Sequence, residues 1–233
     1  MALLAFDTCF GAVSVAVRYR TASGDYSVRE AYEARQTGHA ERLMPMIAEV
    51  MTGAGLEFGQ IERYAVTIGP GSFTGVRVGV AAARAFALAA SRPVVGVSSL
   101  EVIAARGRAL LGARSDGRTI MVAIDARRGG VYCALYRDGT TSGDRPPTLL
   151  TADSAFTLAR EHHALVIGSG GPLLSEFAAA KGHTIDTELP SIEPHARFLA
   201  LLAADRDPSP TVAPLYLRSP DVRPQPGPIA RQT

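Results

Sequence analysis

The chain has 233 residues, of which 47% are hydrophobic and 20% charged, a globular balance that excludes wholesale disorder. Its two cysteines, Cys9 and Cys133, exclude a disulfide scaffold and a four-cysteine zinc site. A formal charge of +2, from 24 basic and 22 acidic side chains, gives little long-range pull on nucleic acid or anionic lipid, and Lys181 is the only lysine.

The chain opens on Met-Ala-Leu-Leu-Ala-Phe-Asp, with no basic region ahead of an apolar run, so no signal peptide is expected. Residues 3–6 are an apolar run ending in Asp7, and residues 13–17 alternate around Ser14 and Ala16, which predicts two strands joined by a tight turn at residues 7–11. A third strand is predicted over 26–34. Thr37-Gly38 opens a helix that runs to about Thr52 and is closed by Gly53 and Gly55. A buried strand over 64–68 leads into the loop Gly69-Pro70-Gly71-Ser72, where Ser72 is placed to cap a helix from Phe73 to Ala90. Within that helix the stretch 76–90 is broken by Arg77 and Arg84 and reads as too short and too charged for a bilayer, so a soluble, cytoplasmic, reduced protein is expected.

A strand over 93–97 is followed by a second, similar series. It comprises a helix over 100–111, a strand over 119–124 ending in Asp125, a partner strand over 131–136, and a helix over 151–161. A strand over 164–167, a glycine loop at 168–171 and helices over 173–180 and 194–204 complete it. The repeated order predicts a duplicated α/β architecture of two lobes meeting across a cleft. The first lobe is expected over 1–100 and the second over 101–207. A proline-rich tail over 208–233 is expected to be extended or disordered.

Three loops are candidates for ligand chemistry. A carboxylate at a strand end, followed by a hairpin whose backbone N–H groups face a cleft, can hold a phosphate or a magnesium-bound water. That makes Asp7 and Thr8 candidates, but the bulk of Phe10 favours a structural turn capped by Asp7. Gly71 and Ser72 lie where a strand meets a helix, the setting of an anion site, although the glycines at 69, 71, 75 and 79 match neither a P-loop nor a dinucleotide fingerprint. Gly75, Gly79 and Ala83 fall four apart on one helix face, and close approach of a neighbouring helix is the favoured reading. The third loop, with Gly170 and Gly171, either faces an adenosine or is a tight turn.

Catalytic groups are scarce. The five histidines form no H-x-x-x-H or H-E-x-x-H pair, and there is no G-x-S-x-G elbow. The helix over 39–51 is more notable, because Leu43, Met44, Met46, Ile47, Val50 and Met51 cover more than one face. The excess either packs on a second helix of this chain or awaits a partner, and Pro45 is expected to kink the helix.

The segments Leu4-Ala5-Phe6-Asp7-Thr8, residues 38–45 (Gly-His-Ala-Glu-Arg-Leu-Met-Pro), residues 69–79 and residues 93–101 resemble the TsaB family. The likeness continues more loosely through residues 124–128 and 214–218. TsaB proteins are the accessory subunits of bacterial tRNA threonylcarbamoyladenosine synthesis. The resemblance implies the actin-like ATPase (sugar kinase/Hsp70) fold. It also implies pairing with a TsaD-type catalytic subunit, joined by a TsaE-type ATPase, to modify adenosine 37 of tRNAs that read codons starting with A. It further implies no catalysis by this chain, contact with tRNA only through the complex, no membrane, and a homodimer when the partner is missing. No cofactor is expected to bind strongly here, and ATP or ADP and a divalent metal belong to the partner subunits.

The positions matching the catalytic paralogue's two metal-binding histidines are Ser99 and Ile103, which cannot replace imidazole ligands. Gly130 departs from the family, which usually has an acidic residue there. On this reading the partner-binding residues are His39, Arg42, Leu43, Met46, Ile47 and Val50 on the first helix, with Arg77, Val80, Ala81, Arg84 and Leu88 on the second. A competing expectation is a stand-alone ATP-dependent phosphotransferase. A metallopeptidase is a third, and the missing histidine pair argues against it.

Overall fold

The computed structural model describes residues 1–140, 143, 146–208 and 212–218. The first sheet comprises β1 (Ala2–Asp7), β2 (Ala12–Arg20), β3 (Tyr26–Ala34), β4 (Ile61–Thr67) and β5 (Val94–Val97). Its order is β3-β2-β1-β4-β5, antiparallel from β1 to β3 and parallel from β1 to β5. The helices α1 (His39–Ala54) and α2 (Phe73–Ala90) lie side by side on one face of it. β1 is buried along its whole length, as a central strand covered on both faces must be, and its sequence is accordingly apolar as far as the closing Asp7.

The second sheet repeats the plan with β6 (Ile120–Asp125), β7 (Gly130–Tyr136), β8 (Thr148–Thr151), β9 (Leu165–Ile167) and β10 (Thr187–Glu188). Read from β8 its order is β8-β7-β6-β9-β10, with the same antiparallel and parallel pairings as the first. Two copies of one topology, each with Asp7 or Asp125 closing its central strand, make this the duplicated actin-like ATPase fold. The remaining helices are α3 (Ser99–Leu111), α4 (Ala152–Glu161), α5 (Gly171–Ala180) and α6 (Ala196–Ala204).

The structure departs from the sequence expectation in three places. β8 and β10 are short edge strands, too brief to show periodicity. α2 has 18 residues and is, by length and composition alone, apolar enough to cross a bilayer, whereas the stretch 76–90 reads as too short. Its Gly75, Val76, Gly79, Val80 and Ala83 are buried in the first lobe. The last helix, α6, expected in the second lobe, packs instead on the first sheet. Ala196, Leu199, Ala200 and Ala203 there join Leu3, Ala5, Ala16 and Ala65 in one apolar layer. The sheet's second face needs a cover, and α1 and α2 occupy only the other.

Of the proline-rich tail, residues 209–211 and 219–233 lie outside the described residues. Residues 212–218 carry no helix or strand but are packed down. Val212 is buried in the first-lobe core, and the Leu215 N–H donates to the Ile68 carbonyl at 2.7 Å.

Candidate functional site

The two lobes face each other across a cleft of about 790 Å³. Phe10, Gly11 and residues 36–41 line it from the first lobe, with Gly71, Ser72, Thr74, Gly75 and Val78. Residues 124–127, Tyr132 and Ser169 line it from the second, and Glu193 lies on the connection to α6.

The β1–β2 hairpin forms one wall, and it is seated on the start of α2. The Thr8 hydroxyl donates to the Gly75 carbonyl at 2.6 Å, and the Ser72 N–H donates to the Cys9 carbonyl at 2.7 Å. A Cβ on Gly75 would stand 2.0 Å from the Thr8 carbonyl oxygen, and one on Gly79 would stand 2.7 Å from the Thr8 hydroxyl. One on Gly71 would be 2.6 Å from the Cys9 carbonyl. The small residues of α2 thus admit a hairpin. Packing of a neighbouring helix, the reading favoured from their spacing, is corrected: the close approach comes from backbone that precedes α2 by more than sixty residues. Ser72 caps α2 as expected, its Oγ accepting from the Gly75 N–H at 3.0 Å.

Asp7 and Thr8, expected to face a nucleotide, do not line the cleft. Both are buried beneath the hairpin. Asp7 Oδ1 accepts from the Thr67 hydroxyl and from the Cys9 N–H, while Oδ2 meets no donor among the described residues. Burial pushes the Asp7 carboxyl above its ordinary range, against the pull of those hydrogen bonds. Burial and the Asp7 charge likewise push the Cys9 thiol up, which leaves it a poor nucleophile.

Gly170 and Gly171 are also buried rather than cleft-facing. Gly170 packs against Ala123, to whose carbonyl its N–H donates at 2.9 Å, so the tight-turn alternative holds for this loop. Ser169 lines the cleft in their place, its Oγ accepting from the Asp125 N–H at 3.2 Å. Of the six expected nucleotide-facing residues, Gly71 and Ser72 line it.

Sequence reasoning missed Glu193, which no spacing connects to the hairpin more than 180 residues earlier. Its carboxyl is raised to about 7, by burial first and the Asp7 charge second, against a hydrogen bond from the Gly11 N–H and the Arg106 charge. His39 stands on the other side of the hairpin tip, its Nε2 at 2.8 Å from the Phe10 carbonyl.

Of the expected partner-binding residues, Leu43, Met46, Ile47, Val50 and Val80 lie at most 3% exposed in the first-lobe core, so none of them offers an outer surface. The apolar excess of α1 is therefore mostly packed within this chain. Arg42 is held by Glu33 at 2.6 Å and by both Glu49 oxygens at 2.7 and 2.8 Å. Arg77 donates to the Tyr216 hydroxyl at 2.8 Å and stacks on Phe73 at 3.7 Å. Ala81, Arg84 and Leu88 are exposed along α2, and Met44 along α1, with Leu88 83% accessible. Ser99 and Ile103 are fully buried. The Ser99 hydroxyl donates to the Pro70 carbonyl, and Ile103 packs in the second-lobe core.

Residues 33–203 match the family described as "TsaD: tRNA N6-adenosine threonylcarbamoyltransferase". The chain is 39% identical over 201 residues to a Haemophilus influenzae protein named tRNA threonylcarbamoyladenosine biosynthesis protein TsaB, an alignment covering 82% of this chain and 81% of that one. It is 35% identical over 230 residues to a Mycobacterium leprae protein described as uncharacterized, covering 95% of this chain and 56% of the relative's length. The solved structure of YeaZ from Pseudomonas aeruginosa is similar with a TM-score of 0.72 and 26% identity, over 93% of this chain and 99% of that one.

Proposed function

From the premise that the chain belongs to the TsaB (YeaZ-type) branch of the TsaD family and takes part in tRNA threonylcarbamoyladenosine biosynthesis, we propose that it acts there as a non-catalytic subunit. Its role is to pair with and activate a TsaD-type catalytic partner, joined by a TsaE-type ATPase, for modification of adenosine 37. The tRNA is engaged through the assembly. ATP or ADP and the divalent metal belong to the partner subunits.

The observation that carries this reading is the outer face of the α1–α2 pair. Met44, Ala48, Ala81, Ala85, Leu88 and Ala89 are all exposed there. Small side chains let a facing helix approach closely, and Leu88 and Met44 supply anchors for it. Arg84 stands exposed on the same helix as a rim charge. A symmetric self-pairing of this face is the resting form when the partner is missing. The buried side chains of Ser99 and Ile103 support the absence of chemistry, since neither is a metal ligand.

The test is to combine this chain with the TsaD-type and TsaE-type proteins of the same genome, ATP, preformed threonylcarbamoyl-adenylate and tRNA. Modification is measured with and without it. Modification that requires the chain, with no turnover by the chain alone, is expected. Equal modification without it, or unaided turnover by it, sinks the reading.

A further inference from the structure

The actin-like fold is built around a nucleotide cleft, and the residues lining this one do not suit phosphates. The hairpin tip and the N-terminal ends of α1 and α2 border the cleft, and backbone N–H groups so placed attract anions. A carboxyl group of this chain already stands among them. The Glu193 carboxyl group packs against the hairpin tip at Gly11. Its Oε1 and the Gln36 Nε2 each lie 3.1 Å from the point where a Cβ on Gly11 would stand.

We propose that Glu193 is a built-in carboxylate that takes the place of a bound phosphate in the interlobe cleft and keeps phosphate-bearing ligands out. The side chain is presented by a pinned loop. Arg106 Nη1 donates to the Glu193 carbonyl at 2.8 Å, and the preceding Ile192 is buried in the second-lobe core. On the other side His195 caps α6 and stacks on Tyr32 with ring centroids 5.2 Å apart. The loop that carries the side chain is therefore fixed at three points.

Charged groups of both signs surround it. Asp7 lies beneath the hairpin, and Glu41 and Asp125 line the cleft. Arg35, Arg106 and Arg127 are guanidinium groups near it among the described residues, and the His39 ring is engaged with the Phe10 carbonyl. Above about pH 7 a phosphate entering this cleft meets the ionised Glu193 at the hairpin tip, with further carboxyl groups along the wall.

This inference deepens the reading of the chain as a subunit without chemistry of its own, and it is measured on the isolated full-length chain. Wild type, Glu193→Ala and Glu193→Gln are titrated calorimetrically at pH 8 with pyrophosphate and with ADP, each with Mg²⁺. Wild type is expected to give no saturable binding and both variants to bind at least about tenfold more tightly. Wild-type binding as tight as that of the variants overturns the proposal, and so do two folded variants that remain silent. Glu193→Gln keeps the side-chain shape if the alanine variant does not fold. A gain of binding in the variants alongside failure of the tRNA assay leaves this inference standing and removes the scaffold reading. The reverse pattern does the opposite.

Discussion

The Thr8 carbonyl oxygen lies 2.0 Å from the point a Cβ on Gly75 would occupy, while the Thr8 hydroxyl donates to the Gly75 carbonyl at 2.6 Å. The hairpin and α2 are locked face to face through a contact that only glycine permits. Gly75→Ala is therefore expected to destabilise the chain by about 3 kcal/mol, because the obstacle is backbone rather than a yielding side chain. For a chain of this size that corresponds to a melting temperature lower by roughly 6–12 °C. A loss below about 1 kcal/mol in denaturant titration means the hairpin can lift off α2 at little cost.

Burial separates two kinds of substitution on the α1–α2 pair. Ile47 is fully buried and Leu88 is 83% exposed. Ile47→Glu places a charge in the core and is expected to unfold the chain, so loss of partner binding in that variant carries no information. Leu88→Glu is expected to leave stability within about 0.5 kcal/mol and to weaken the TsaD-type partner by at least about tenfold. Affinity measured by interferometry, alongside an unchanged melting curve, is the check. Unaltered affinity for Leu88→Glu combined with Met44→Glu removes this face from the interface.

Arg63 ties the chain's last described helix to its first sheet. Its Nη1 donates to the carbonyls of Ala203, Ala204 and Arg206 at 3.1, 3.3 and 2.8 Å, closing the C-terminal end of α6. Arg63→Ala leaves those carbonyls to find other donors and is expected to cost about 1–3 kcal/mol. Faster proteolysis after residue 195 in the variant, with protection elsewhere retained, locates the loss at α6. An unchanged digestion pattern counts against the tie.

Local signals carried most of the fold. The apolar run before Asp7, the 26–34 strand, the Ser72 cap and the glycine that ends α1 all act within a few residues, and each lies where periodicity and capping chemistry place it. The repeat of strand order was legible for the same reason. What the sequence could not show was long-range. α6 returns to the first sheet because a face there lacks cover, and no property of residues 196–204 says so. Helical spacing identified Leu43, Ile47 and Val50 as apolar without saying which side is core. Glu193 reaches the hairpin tip only through the meeting of the two lobes, and so the residue most informative about the cleft had no sequence signature.

Glu193 also gives stability a pH dependence of definite sign. Its carboxyl is raised from 4.5 to about 7 in the folded chain, so between those values the folded state holds a proton that the unfolded state releases. The contribution is fully present below about pH 4.5 and is lost as pH rises through 7. Burial also raises Asp7, which acts in the same direction, while Glu62, lowered by the Ala2 N–H, acts in the opposite direction at acid pH. Because the Glu193 side chain is partly solvated, the loss is set at about 1–2 kcal/mol after screening. Denaturant titrations of wild type and Glu193→Gln at pH 5 and pH 8 measure it. Wild type is expected to lose that much relative to the variant on going from pH 5 to pH 8, because glutamine keeps the shape and the Gly11 contact without the charge. Parallel behaviour of the two proteins would show that the carboxylate at the hairpin tip is already well solvated. It would then have no hold on the cleft.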